Sequence, residues 1–197
     1  MAALIPGKLL YLRSPHTASV ATERAVMMAS PDDAVVIVPG HCTVEEIRSG
    51  TVTSHDGKRR ALDLLTGDEL LVTTVRNPYE VIVTWWLRAT RGEGSFAGFI
   101  REINRPPQVI DGRIFSRADE CVVVMRYESL EGDWKALLSR LGLAFVPIPI
   151  ENTTKGKAPW ETYYDAESFE AVRERFGAEI EQLGYGPCRG STPLRML

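Results

Sequence analysis

Lys8-Leu9-Leu10-Tyr11-Leu12-Arg13-Ser14-Pro15-His16-Thr17-Ala18-Ser19 is the stretch on which the fold turns. Lys8–Leu12 is an apolar run of strand length, and a helical pattern begins at Ala18 and continues to about Ala29. Between them lies a short loop of mostly small residues. A loop leaving a strand in this way turns its backbone N–H groups toward one point, and the helix N-terminus adds partial positive charge there. Thr17, Ala18 and Ser19 are small enough to let an anion approach, and the two hydroxyls can donate to it. Arg13 brings a guanidinium fork suited to phosphate or sulfate. The GxxxxGK[ST] pattern of a Walker A loop is missing. An ordinary strand–turn–helix connection explains the same residues, so both readings stand at this point.

Three more apolar runs have strand length: Ala34–Val38, Glu69–Val75 and Cys121–Met125. They are rich in Val, Ile and Leu and nearly continuous, as strands covered on both faces are in parallel sheets. Helical patterns separate them. This predicts an α/β fold, a three-layer parallel sheet of about four to five strands flanked by helices and joined by right-handed crossovers. Asn77 caps a helix with Pro78 in its first turn and an apolar stripe of Tyr79, Ile82, Val83 and Trp86. Leu130, Trp134, Leu137, Leu138 and Leu141 form a second stripe, stopped by Gly142. A third helix starts at Asp165, carries Phe169, Val172, Phe176, Ile180 and Leu183 on one face, and ends at Gly184. Arg48–Arg60 and Phe145–Pro159 read as irregular because of their glycine turns and prolines. No repeat or linker divides the chain, which reads as a single domain over residues 1–197.

Composition narrows the partners. Apolar residues at 44% and charged residues at 25% are ordinary for a globular chain. A net charge of −3 supplies no global field to draw in nucleic acid or an anionic membrane, so any anion site must be built locally. No run approaches the ~20 apolar residues that span a bilayer, and Met1–Gly7 is too short for a signal h-region. Cys42, Cys121 and Cys188 are odd in number, widely spaced and without a CxxC pair. That argues for a reducing compartment and against a disulfide framework or a zinc site. The expectation is a cytoplasmic protein without a membrane span.

A second anion site follows one crossover after the first. Arg76 ends an apolar strand, where burial is costly without an anionic partner, and Thr84 lies two turns into the helix begun by Asn77-Pro78. The partner is either a bound anion or an acidic side chain. If both sites bind anions, the ligand carries two separated phosphate-like groups. His41 follows the second apolar run, at a strand end where α/β sheets put ligands. It is either a general base or a surface-loop histidine, whereas His55 sits in a polar, turn-rich stretch and reads as solvated. Lys155 and Lys157 flank a loop glycine and either reach the site or remain in solvent. Trp86 belongs to the core stripe; Trp85 either lines a cleft or packs.

Together these pieces resemble the sulfotransferase family that uses 3′-phosphoadenosine 5′-phosphosulfate (PAPS). Arg13–Ser19 is similar to the family's 5′-phosphosulfate loop, written around Pro-Lys-Thr-Gly/Ala-Ser/Thr. The segment from Val75 to Trp86 is similar to its 3′-phosphate motif, and Arg76 and Thr84 keep the family's eight-residue spacing of arginine and serine or threonine. Gly40–Ile47 resembles the His-x-Thr-Ala-x-Glu-Ile stretch of carbohydrate-type members. Arg126–Leu130 with Asp133-Trp134 resembles the segment beside the nucleotide, and Trp160–Tyr185 the C-terminal element. The likeness covers roughly residues 8 to 186. One position departs: His16 stands where the family loop usually has lysine.

The resemblance implies a P-loop nucleotide-binding-like fold and sulfuryl transfer from PAPS to an acceptor hydroxyl on a carbohydrate or small molecule, without a metal. It assigns Arg13, Thr17, Ala18, Ser19, Val20 and Ala21 to the 5′-phosphosulfate. Arg76 and Thr84 go to the 3′-phosphate, with Tyr127, Lys155 and Lys157 closing over the nucleotide. His41 becomes the base for the acceptor hydroxyl and His16 the stabiliser of the leaving group. Two other functions compete: a P-loop small-molecule kinase, and a nucleotide-binding protein whose catalysis is impaired by His16.

Overall fold

The computed structural model describes residues 2–38, 44–103, 122–151 and 153–185. They form an α/β structure around one mixed sheet. Its strands are β1 (Ala2–Ile5), β2 (Leu9–Leu12), β3 (Val35–Val38), β4 (Thr53–Ser54), β5 (Leu70–Val75) and β6 (Val122–Arg126). The helices are α1 (Ser19–Ala29), α2 (Val44–Arg48), α3 (Pro78–Thr90), α4 (Phe96–Glu102), α5 (Leu130–Arg140) and α6 (Ala166–Gln182). The strand order is β4-β3-β1-β2-β5-β6.

The all-parallel expectation needs correction. The four strands read from sequence run in one direction, but β1 enters between β2 and β3 and is antiparallel to both. The short β4 is antiparallel to β3 at the edge. The cause is the Pro6-Gly7 turn. Lys8 N donates to Ile5 O at 3.0 Å, and Gly7 takes φ 69°. Proline then glycine with positive φ at the centre of such a turn closes a tight hairpin. All four β1 residues are buried, so this strand is interior to the sheet.

Alternation along the strands divides the apolar residues between two cores. Ala3, Ile5, Leu9, Tyr11, Val72, Val123 and Met125 pack with Ala25 and Val26 of α1 and with Trp134, Leu137 and Leu138 of α5. Ala2, Leu4, Leu10, Leu12 and Leu71 pack on the other side with Ile47, Val52 and Ala61. A third core joins Tyr79, Ile82, Val83 and Trp86 of α3 to Phe96 and Ile100 of α4 and Val172, Phe176 and Ile180 of α6. The three stripes read from sequence are thus the buried faces of α3, α5 and α6. The expected stops hold as well: Gly142 and Gly184 take φ 65° and 72°. Asn77 Oδ1 accepts from Tyr79 N at 3.0 Å and caps α3.

What positions the site is the parallel pairing of β2 with β5, in which Leu12 lies opposite Thr73. The two strands end side by side, so the loop after β2 and the Arg76 segment after β5 emerge together. Thr73 Oγ1 donates to Leu12 O at 3.0 Å, and Tyr11 OH pairs with Thr74 Oγ1 at 3.0 Å beneath this junction. Burial pushes the Tyr11 phenol up to about 12, so it remains a protonated link between the strands. No helix among the described residues is long and apolar enough to cross a membrane.

Candidate functional site

The loop after β2 is held from within. Thr17 is fully buried, and its hydroxyl donates to Ser14 O at 2.8 Å. His16 and Ala18 both take left-handed backbone, φ 61° and 60°. That conformation is uncommon for residues with a Cβ and is a form of strain that collects at binding sites. Alternation of this kind turns successive N–H groups inward to form an anion-binding concavity. The helix that follows keeps its end open: Ala18, at the N-cap of α1, makes no side-chain cap, and the first turn holds no acidic residue. By contrast, α3 has its first turn covered by Asn77 and carries Glu80 there. The first turn of α1 therefore keeps backbone N–H groups that the N-cap side chain does not cover.

A cavity of about 430 Å³ opens at this end. Its wall includes Arg13, His16, Ala18, Ser19, Val20 and Ala21 from the first loop and helix. Arg76, Thr84 and Arg88 line it from the α3 side, Tyr127 from the turn after β6, and Glu151, Thr153, Thr154 and Lys157 from the irregular segment before α6. Four cationic side chains, Arg13, Arg76, Arg88 and Lys157, meet one lining carboxylate, Glu151, which is itself paired with Arg24. Just outside the lining, Glu23 pairs with Arg13 and Glu80 with Arg76 and Lys157, so with Arg24 included five cations face three carboxylates and a smaller positive excess remains. The volume lies in the range usual for small-ligand sites.

Arg76 is the centre of the arrangement. It is 8% exposed. Its Nη1 donates to His16 O at 3.3 Å, which fastens it to the first loop. Its guanidinium carbon lies 3.8 Å from the Tyr127 ring centroid, and its Nη2 pairs with Glu80. Glu80 also accepts from Lys157 Nζ at 2.5 Å, while Lys157 reaches Thr84 Oγ1 at 3.4 Å. Of the two partners open for Arg76, the structure shows the acidic side chain, Glu80, and Arg76 also lines the cavity. Burial pushes the Glu80 carboxyl up, but hydrogen bonds and charge from Arg76 and Lys157 outweigh it and hold the group below the ordinary carboxylate range. Burial lowers Lys157, and the neighbouring Arg76 adds to this against the pull of Glu80.

The turn carrying Tyr127 is fixed by its neighbours. Glu128 Oε1 accepts from Asn77 N at 2.9 Å, and Asp133 Oδ2 accepts from Arg126 N at 2.8 Å. Around the first loop, the polar contacts of Arg13 among the described residues are long, 3.5 Å from Nε to Ser19 Oγ and 3.4 Å from Nη1 to Glu23 Oε2. His16 faces Trp85, with ring centroids 6.4 Å apart and 23° between planes. Trp85 also meets Phe99 edge-on at 5.6 Å, so packing accounts for it.

Of the residues singled out from sequence, Arg13, His16, Ala18, Ser19, Val20, Ala21, Arg76, Thr84, Tyr127 and Lys157 share this one cavity. Thr17 lies behind it and shapes the loop with its hydroxyl. Lys155 is exposed and outside the lining. His41 falls outside the described residues. Thr84 donates its hydroxyl to Glu80 O at 2.9 Å, so it must turn to donate to a ligand. Sequence reasoning missed Glu80, Arg88, Glu151, Thr153 and Thr154. Glu80 and Arg88 carried a signal, each four residues from a chosen partner, Arg76 and Thr84. The other three lie on an irregular segment whose path no periodicity encodes. Comparison with protein-family models and with curated proteins found no match to this chain.

Proposed function

We propose that this chain is a sulfotransferase that moves a sulfuryl group from PAPS to an acceptor hydroxyl on a carbohydrate or small molecule. The observation that carries the reading is the shared cavity: the loop after β2 and the Arg76–Thr84 segment, chosen separately from sequence, line one cationic space. The donor set fits a nucleotide with anionic groups at two ends. Backbone N–H groups of the loop and the first turn of α1, with Arg13, would hold the 5′-phosphosulfate. Arg76, Lys157 and a turned Thr84 hydroxyl would hold the 3′-phosphate, and Tyr127 closes that side. This follows the order of motifs that resembles the sulfotransferase family, on a P-loop-like reading of the sheet.

PAPS supplies the sulfuryl group, an anion that passes in line between two oxygens. The task left to the protein is alignment and neutralisation of charge. His16 lies at the uncapped helix end, where a protonated imidazole would balance charge on the departing oxygen. His41 is the proposed base that takes the acceptor proton. No step in this scheme calls on a metal. The competing nucleotide-binding reading draws on one observation, His16 in the lysine position of the family loop. Incubation with radiolabelled PAPS and a panel of sugar and small-molecule hydroxyls separates the two. Label transferred to an acceptor, and lost with His16→Ala, supports the enzyme. Tight nucleotide binding with no transfer to any acceptor supports the binding protein.

A further inference from the structure

Glu80 presents a puzzle in a site read as anion-binding. Its carboxylate sits between the two cations that would receive a phosphate, with Arg76 Nη2 on one side and Lys157 Nζ at 2.5 Å on the other. Coulomb's law alone says that such a carboxylate repels an incoming anion. We propose that Glu80 is nevertheless a positioning residue, one that strengthens anion binding by holding Lys157 in the cavity. The inference rests on the anion-binding reading of this cavity and on no particular nucleotide.

The two cations are held in different ways. Arg76 is fixed by other means, through the His16 carbonyl and the Tyr127 ring. Lys157 belongs to an irregular segment and follows Gly156, which takes φ 70°. A lysine side chain has four rotatable bonds, and ordering it in one place opposes binding. Apart from Glu80, the polar contact of its ammonium among the described residues is Thr84 Oγ1 at 3.4 Å, too long to fix it. Yet the Lys157 side chain is only 14% exposed. The charge of Glu80 is what keeps the ammonium at the cavity wall. Arg76, Lys157 and Glu80 together retain one net positive charge, so the ordered lysine still attracts an anion.

The two roles predict opposite signs, which makes the test decisive. Inorganic pyrophosphate and adenosine 3′,5′-bisphosphate are titrated by calorimetry into wild type, Glu80→Gln, Lys157→Ala and the double variant, with melting curves to confirm that each is folded. Positioning predicts that Glu80→Gln and Lys157→Ala each weaken pyrophosphate binding by about tenfold. The double variant is then no weaker than Lys157→Ala alone, because both changes remove the same lysine contact. Tighter binding by Glu80→Gln overturns the proposal, since the carboxylate then only repels. Additive losses overturn it as well, and so does a wild type that ignores pyrophosphate. Wild type that binds pyrophosphate but not the adenosine bisphosphate refutes the nucleotide reading, and the pyrophosphate arm still decides the role of Glu80.

Discussion

At the scale of single residues, the candidate site is built by side chains that do not all face the cavity. The sequence reads Thr17 as a phosphate contact, but its hydroxyl is spent on Ser14 O beneath the loop. Its role is to hold left-handed backbone at His16 and Ala18 on either side. Thr17→Val should therefore lower stability by about 1 kcal/mol. The measurement is a thermal melt, where this corresponds to a fall of roughly 2–4 °C for a chain of this size. An unchanged melting point, with the loop still competent, would remove Thr17 from this role. Which residues would be cationic or small was legible in the sequence. Which of them turn inward was not, because a hydroxyl's partner is decided by backbone geometry that residue type alone does not specify.

At the scale of elements, α3, α5 and α6 were readable because their periodicity and end signals agree with the cores they join, whereas α1 was readable from its helical pattern after the first loop without an end signal. The first strand was missed although its signal was present. Ala2–Ile5 and Lys8–Leu12 are two apolar runs separated by Pro6-Gly7, a hairpin pattern that also sets antiparallel pairing. Continuous burial of the neighbouring runs suggested parallel partners, and burial does not encode strand direction. The C-terminal end of α6 offers an element-scale test. Gly184 takes φ 72°, and a Cβ there would stand 2.7 Å from Arg126 Nη2. That guanidinium donates to Leu183 O at 2.8 Å and stacks on Tyr185. Gly184→Ala should destabilise by about 1–2 kcal/mol, from backbone strain together with displacement of Arg126. Urea denaturation measures it, and a variant as stable as wild type contradicts this account of the helix stop.

At the scale of the whole molecule, the sheet order brings β2 beside β5 and so joins two segments 60 residues apart through Arg76 and His16. A second long-range tie lies at the opposite ends of these strands. Glu69 accepts N–H bonds from Gly7 at 2.9 Å, Thr66 at 2.8 Å and Gly67 at 3.0 Å, linking the β1–β2 turn to the entry of β5. Burial raises the Glu69 carboxyl, but these donors outweigh it and hold it below the ordinary range. A depressed carboxylate contributes stability that is complete above the unfolded value and is lost as pH falls through the folded one. Glu69→Gln should therefore cost most near neutral pH and least about one to two units below the ordinary glutamate value. Urea midpoints at both pH values check this, and an equal cost at both contradicts it.

In the proposed function, one cavity grips a nucleotide carrying separate anionic groups, with Arg76 as the guanidinium at one of them. Calorimetric titration of adenosine 3′,5′-bisphosphate into wild type and Arg76→Ala tests it most directly. Glu80 keeps Lys157 as a partner in the variant, so no buried carboxylate is stranded and the fold should persist. The account predicts saturable binding by wild type, preferred over ATP with Mg²⁺, and a loss of about a hundredfold in Arg76→Ala. Wild type that produces no binding heat, or a variant that binds as tightly as wild type, would contradict it.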